Sequence, residues 1–259
     1  MTPRTRYIVI AFLLCAIGCG SAKKEATAAA PEAPSTTAAA PAAATGSAGI
    51  NGTVSFEGTP PAAAKIAMDA DPVCQMQHGA HAHAQAEDIS VTNGLLKNVL
   101  VYVKEGLGSA AFPAPTTPAR LNQAGCWYEP HVVALQAGQP LEIVNSDGTL
   151  HNVNAKPLQN QPFNVAQPIQ GMKTTKKFDK PELGIKVKCN VHPWMHAYIH
   201  VLAHPFFSVT GESGAFALGG LPAGTYTVEA WHEQLGTATQ TVTVAAGETK
   251  ALTFTFKGK

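Results

Sequence analysis

The stretch Lys188-Cys189-Asn190-Val191-His192-Pro193-Trp194-Met195 places three soft metal donors on one short loop. A cysteine, a histidine three residues later and a methionine three residues after that offer a thiolate, an imidazole and a thioether. Such donors suit a copper ion better than a hard cation. Two β-like runs, residues 184–188 and 197–202, flank the loop, so the sequence predicts two strands joined by a metal-binding connection.

A fourth donor has to come from elsewhere in the chain, and His151 is the best candidate. It lies in residues 145–153, NSDGTLHNV, where a predicted strand gives way to a turn. Two histidines and one cysteine in a plane, with a weakly bound axial methionine, form a blue-copper site. The predicted ligands of one mononuclear copper ion are therefore His151, Cys189, His192 and Met195.

This pattern resembles the cupredoxin family. Its members place the first histidine just after a strand, in an Asn…His-Asn context like that of Asn145 and His151, and the other ligands on one loop near the domain's end. Plastocyanin-like loops usually have four residues between the second histidine and the methionine. Here there are only two, between His192 and Met195, and this short form is similar to amicyanin. His196 is an alternative axial ligand.

The resemblance also implies roles for residues around the metal. Asn145 is expected to tie the His151 segment to the ligand loop by hydrogen bonds. His192 is expected to present one ring edge to solvent beside Pro193 and Trp194, which would form an apolar docking patch for a redox partner.

The C-terminal part of the chain has a different sequence pattern, in which short predicted strands of alternating apolar and polar residues are separated by glycine-containing turns. Residues 211–216, GESGAF, and 221–226, LPAGTY, resemble sequence motifs of the carboxypeptidase regulatory-like β-sandwich, a non-catalytic module. Residues 50–57 also look like a strand of that family and can return to pair with its sheet. Period-2 alternation is plain in residues 241–244 and 252–256.

The predicted fold is all-β and has two parts. A cupredoxin-like Greek-key β-sandwich spans residues 50–204, and a small carboxypeptidase regulatory-like (transthyretin-like) β-sandwich spans 205–259, with the strand at 50–57 as a candidate for sharing. Residues 20–49 are rich in Ala, Pro, Thr and Ser and lack large apolar residues, which predicts a disordered tether.

Residues 1–19 have the pattern of a bacterial export signal. Arg4 and Arg6 precede the apolar run 7–17, which is too short for a comfortable membrane span. Residues 16–19, AIGC, resemble a lipobox, so Cys19 is expected to carry lipid and anchor the protein in a bilayer. Gly20 is not the aspartate that retains many lipoproteins in the inner membrane, which makes the outer membrane the expected location.

Export simplifies the cysteine count. Of the five cysteines, Cys15 leaves with the signal and Cys19 is lipidated, so three remain. Free thiols in an oxidising compartment tend to pair. The economical solution is a disulfide between Cys74 and Cys126, with Cys189 kept as a metal thiolate.

Other histidines have less specific surroundings. His78, His81 and His83 follow Cys74 and Met76 in a Gly/Ala-rich stretch, which is expected to be a solvated loop that holds metal only loosely. His131 leads into a strand and is expected to be a core or capping histidine. His200, His204 and His232 have no assigned role.

Composition and motifs restrict the function. The net charge of +1 gives no indication of a nucleic-acid or membrane-surface partner. The absence of a phosphate loop, a hydrolytic triad or a His-Glu-x-x-His motif argues against an enzyme. The leading hypothesis is a membrane-anchored electron carrier whose partner is a redox protein such as a cytochrome. The alternatives are a copper-binding or copper-delivery lipoprotein without electron transfer, and a β-sandwich binding or adhesion protein.

Overall fold

The computed structural model describes residues 46–78 and 84–258. The predicted export signal, Cys19, most of the tether, and His81 and His83 lie outside these residues. In the described part, no helix has the length and apolar character needed to cross a membrane.

Nearly all regular structure is β-strand, which confirms the predicted all-β class. In chain order the elements are β1 (Ala48–Glu57), β2 (Lys65–Ile66), α1 (Pro72–His78), β3 (Ala84–Gln85), β4 (Val91–Thr92), β5 (Leu95–Leu96), β6 (Leu100–Glu105), β7 (Ala119–Ala124), β8 (Trp127–Glu129), β9 (Val132–Gln136), β10 (Pro140–Asn145), β11 (His151–Ala155), β12 (Phe163–Gln167), β13 (Lys173–Lys177), β14 (Glu182–Lys188), β15 (His196–Leu202), β16 (Phe207–Val209), β17 (Ala215–Leu221), β18 (Gly224–His232), β19 (Gly236–Val244) and β20 (Thr249–Lys257).

The first sandwich consists of two sheets around one core. One sheet has the order β13-β10-β7-β8 and the other β12-β11-β14-β15-β9. Two of the pairings, β10 with β7 and β15 with β9, are parallel, which requires crossover connections. Residues such as Leu121, Ile143 and Val187 fill the space between the sheets without solvent exposure.

The second sandwich draws its strands from both ends of the described chain. One sheet runs β17-β1-β5-β4, with β20 paired in parallel to β1, and the other runs β16-β6-β18-β19. Phe254 and Phe256 of β20 point into its core while Thr253 and Thr255 face outward, as the alternating sequence indicates.

The second sandwich contains more of the chain than residues 205–259. Strand β1 joins its sheet, as the resemblance of residues 50–57 implied, but β4, β5 and β6 also belong to it. Val99, Val101 and Val103 pack in its core and not in that of the first sandwich. This differs from the expected boundary at residue 204, because antiparallel pairing of β6 with β16 and β18 captures the segment before β7.

A small apolar cluster lies where the two sandwiches meet. Leu100 and Tyr102 of β6 and Leu202 of β15 form its buried part, and Trp231 of β18 packs against them. The rings of Trp231 and His200, whose centroids are 4.4 Å apart, extend the same contact.

Candidate metal centre

The proposed ligands lie at one end of the sheet that contains β11, β14 and β15. Cys189 directly follows β14, and His151 is the first residue of β11. These strands are neighbours, with Asn154 paired to Lys188, so their ends bring His151 and Cys189 together across 38 positions of sequence (189 − 151).

The ligand loop is a tight turn between β14 and β15. The Cys189 amide donates to the Met195 carbonyl at 3.1 Å, and the Met195 amide donates to the His192 carbonyl at 3.0 Å. The His192 amide donates to Cys189 Sγ at 3.4 Å. These bonds turn the His192 ring and the Cys189 sulfur toward the same point.

Three donor atoms converge there. The Nδ1 atoms of His151 and His192 are 2.9 Å apart, and Cys189 Sγ lies 3.8 Å from His192 Nδ1. His151 is fully buried, and Cys189 and His192 are each 2% exposed. Cys189 is the free cysteine of the described residues. Two imidazole nitrogens and a sulfur facing one another in a dry site fit a soft or borderline metal ion.

Met195 and His196 point into different surroundings. Met195 is completely buried in the same core cluster as Cys189. His196 Nδ1 lies 3.2 Å from the Trp194 carbonyl, and its Nε2 faces Asp88 and Glu233. This placement leaves Met195 as the candidate axial ligand and removes His196 from the centre.

A carboxylate orients the His151 ring. Asp147 Oδ2 lies 2.8 Å from His151 Nε2, so a proton on Nε2 leaves Nδ1 free to bind metal. The backbone amides of Gly125 and Cys126 donate to the same carboxylate, each at 2.9 Å. Both residues have positive φ, +63° and +59°, which is the geometry of a two-residue hairpin turn between β7 and β8.

These hydrogen bonds also set the charge on Asp147. Burial alone would raise the pKa of this carboxyl, but the hydrogen bonds from His151, the Cys126 amide, Gln77 and the Gly125 amide outweigh it and leave the pKa below its ordinary value. The ionised form of Asp147 is therefore favoured beside His151.

A second carboxylate orients the His192 ring in the same way. Asp71 Oδ2 lies 3.0 Å from His192 Nε2 and accepts a bond from the Thr149 hydroxyl at 2.7 Å. Its other oxygen accepts from the amides of Val73 and Cys74, as an N-cap residue does before a helix with proline at its first position. Burial opposes ionisation, but these bonds lower the pKa of Asp71 to about 2.

The Cys189 thiol is poised to ionise. Burial raises its pKa, but hydrogen bonds from His151 and His192 dominate and lower the pKa to about 5. Charge stabilisation by two imidazoles is how proteins prepare a thiolate for metal binding.

Asn152, rather than Asn145, connects the His151 strand to the ligand loop. Asn152 Oδ1 accepts from the Asn190 amide at 2.6 Å and lies 3.5 Å from Cys189 Sγ. The Asn145 side chain bonds instead to the Thr149 carbonyl, the Gln167 carbonyl and the Asp147 amide. Asn145 therefore shapes the turn that presents Asp147 and His151, and the role expected of it belongs to Asn152.

The sequence predicts that one edge of the His192 ring faces solvent, but the structure covers this edge. Helix α1 and its disulfide lie over the ring, with Cys74 Sγ 3.6 Å from His192 Nε2. The structure joins Cys74 to Cys126, and the Trp194 indole donates to the Cys126 carbonyl at 3.1 Å. We call α1, together with Asp71 and the Cys74–Cys126 disulfide, the cap.

Sequence reasoning missed both orienting aspartates. Asp147 had a local signal, because it stands four residues before His151 in the same turn. Asp71 had only the signature of a helix start, Asp-Pro, and lies 121 positions from His192 in the chain. Of the His-rich stretch after Cys74, His78 is described, and its Nε2 lies 2.6 Å from the Gly125 carbonyl.

Comparison with known proteins identifies a family match for the C-terminal segment of the chain. Residues 193–257 match the model of the carboxypeptidase regulatory-like domain family, which confirms the resemblance of the C-terminal segment. No curated protein matches the chain.

Solved structures that resemble part of the chain include an amicyanin, a purple cupredoxin and a copper-containing nitrite reductase. Amicyanin from Paracoccus versutus is 20% identical, with a TM-score of 0.30, and covers 39% of this chain and 96% of its own. A purple cupredoxin from Nitrosopumilus maritimus is 19% identical, with a TM-score of 0.28, and covers 32% and 98%. A copper-containing nitrite reductase from Thermus scotoductus is 25% identical, with a TM-score of 0.31, and covers 37% and 24%. The chain thus spans about a quarter of the reductase, and its family-model match lies in the C-terminal segment.

Proposed function

We propose that this protein is a copper-binding electron carrier with one mononuclear type 1 (blue) centre formed by His151, Cys189, His192 and Met195. The observation that carries the proposal is the convergence of two Nδ1 atoms and one thiolate sulfur inside a buried site. Copper, when bound, supplies the one-electron change between Cu(I) and Cu(II).

The surrounding residues suit that role. Asp147 and Asp71 hold the two rings from behind, so the donors need not rearrange when the charge at the centre changes. Burial excludes water, which would otherwise add a ligand and slow electron transfer through reorganisation. Three of the donors share a loop whose backbone hydrogen bonds fix their separation.

The cap gives the electron a specific exit. Because His192 Nε2 contacts Asp71 and lies beside the disulfide, a redox partner such as a cytochrome would dock on the outer face of α1 and on Trp194. Lipid on Cys19 would hold the protein at a bilayer, on the periplasmic or outer face of the outer membrane, within reach of such a partner.

The test is the visible and electron paramagnetic resonance spectrum of the Cu(II)-loaded protein. We expect an intense thiolate-to-copper band and a narrow hyperfine splitting, both lost in Cys189→Ser. His204→Gln, which removes a half-buried histidine away from the centre, is the control and should keep both signals. A colourless protein, or ordinary tetragonal Cu(II) signals that persist in Cys189→Ser, would reject the proposal.

The same experiment separates the alternatives. A copper-delivery lipoprotein would bind copper without a thiolate band, and a binding or adhesion module would bind none at this site. The burial of all three donors favours retention of the metal over rapid exchange. The non-catalytic assignment belongs to the same proposal, because electron transfer requires no substrate site beside the metal.

A further inference from the structure

A second group of metal-binding side chains lies where the two sandwiches meet, apart from the Cys189 centre. His131 directly precedes β9, His196 begins β15, and Glu233 directly follows β18. One ligand atom from each lies within 4.8 Å of the others. Two strands of the first sandwich and one of the second therefore deliver three donors to one point.

Burial makes this cluster unusual. The side chains of His131 and Glu233 are 4% and 3% exposed, and that of His196 is 20% exposed. Glu233 Oε1 contacts His131 Nε2, whereas Glu233 Oε2 lies 3.7 Å from His196 Nε2. Within the described part of the chain, Oε2 has no hydrogen-bond partner. A buried carboxylate oxygen without a partner is costly, and native proteins nearly always supply one.

The tautomer of His196 points the same way. Its Nδ1 lies 3.2 Å from the Trp194 carbonyl, which can only accept, so Nδ1 carries the proton. In the neutral ring the lone pair of Nε2 then faces Asp88 Oδ1 at 3.0 Å and Glu233 Oε2. Two carboxylate oxygens around Nε2 require a positive charge at that point, which either a proton on the ring or a bound cation supplies. Metal-binding histidines are commonly fixed by this type of backbone contact.

We propose that His131, His196 and Glu233 bind a divalent transition-metal ion, with Zn²⁺ as the probe. Two imidazoles and a carboxylate are a borderline donor set that suits Zn²⁺. Asp88, which is 42% exposed at the rim, supplies a carboxylate oxygen as a fourth donor. The ion would satisfy Glu233 Oε2 and tie the two sandwiches together.

The site is independent of the copper centre, although Met195 and His196 are adjacent in sequence. His196 turns away from the Cys189 thiolate, toward the second sandwich. The proposal therefore stands or falls on its own measurement, and a protein that never turns blue could still bind the second ion.

The experiment is a Zn²⁺ titration by calorimetry on the full chain carrying Cys189→Ser, which disables the first centre. Glu233→Gln is compared in that background with Glu229→Gln, a buried glutamate on β18 that bonds Tyr102 and Lys104 instead. We expect one Zn²⁺ per chain, weakened at least 10-fold by Glu233→Gln, as loss of a ligand would do, and unchanged by Glu229→Gln.

Two further measurements distinguish loss of the metal site from misfolding of the variants. The visible spectrum of Co²⁺ in the Cys189→Ser background should show a bound, low-coordinate ion that His131→Gln removes. Zn²⁺ should also raise the thermal midpoint of the Cys189→Ser protein and not that of Glu233→Gln. If Zn²⁺ binds with the same affinity and stoichiometry with and without Glu233, or raises no midpoint, the cluster is a salt bridge and the proposal fails.

Discussion

At the scale of single residues, the centre depends on partners that stand behind the metal donors. Each proposed imidazole ligand has one nitrogen for the metal and one for a carboxylate, Asp147 for His151 and Asp71 for His192. The same two aspartates also accept bonds from distant backbone, in the β7–β8 turn and at the start of α1. Ring orientation and local folding are therefore set by the same side chains.

This arrangement predicts the effect of Asp147→Asn. The amide keeps the size of the side chain but removes the negative charge from His151 Nε2, so Cu(II) affinity should fall by about 10–100-fold. Competition titration with a chelator measures it, and Asp179→Asn, at an exposed carboxylate, is the control. An affinity equal to that of the unmodified protein would show that Asp147 serves only the backbone of the turn.

At the scale of elements, the cap distinguishes this site from one with an exposed ring edge. Helix α1 has only seven residues and one buried side chain, Cys74. So short a helix has little stability of its own in water. Its position over His192 depends on the disulfide to Cys126 and on the Asp71 and Gln77 side chains, which bond to His192 and Asp147.

Removal of the disulfide should therefore open the centre. In the double variant Cys74→Ala/Cys126→Ala we expect His192 to gain solvent contact and electron self-exchange to become faster. The bond closes a separation of 52 residues, for which the chain-entropy model gives a loss of about 4 kcal/mol in unfolding free energy. Denaturant unfolding and self-exchange line broadening measure the two effects. A large stability loss with an unchanged exchange rate would mean that α1 stays in place without the disulfide.

At the scale of the whole molecule, we expect acid to weaken the contact between the sandwiches. His200 of β15 is fully buried, and its Nδ1 accepts a bond from the Gly184 amide at 3.2 Å, so the ring is neutral. Burial lowers the pKa of His200 to about 3. As pH falls from about 6.5 toward 3, His200 therefore binds a proton in the unfolded chain but not in the folded chain.

The lowered pKa of His200 means that acid destabilises the folded state. The folded state loses stability by up to about 1.4 kcal/mol for each pH unit below 6.5 from this one group, and full stability returns above that pH. The Gln side chain of His200→Gln can still accept a hydrogen bond from the Gly184 amide. Below pH 6.5, the slope of the unfolding free energy against pH should be smaller in this variant by the equivalent of about one proton. Chemical denaturation at several pH values measures the slope. An unchanged slope would show that His200 titrates normally in the folded protein.

Local chemistry explains how much of this could be predicted from the sequence alone. The donor types of the 188–195 loop, the histidine after a strand and the alternation of β20 are properties of neighbouring residues, and the three cysteines after Cys19 are a matter of composition. They predicted the all-β class and named the side chains that the structure brings together at the first centre. They also suggested that residues 50–57 belong with the C-terminal strands.

Tertiary structure decided the other contacts between distant segments. Pairing of β6 with β16 and β18 moves the segment before β7 into the second core, and the register of β11 against β14 selects Asn152 over Asn145 at the ligand loop. The contact of Asp71 with His192 joins positions 121 residues apart, and that of His131 with Glu233 joins positions 102 residues apart. No periodicity or spacing encodes such contacts, because they arise from the packing of whole sheets against one another.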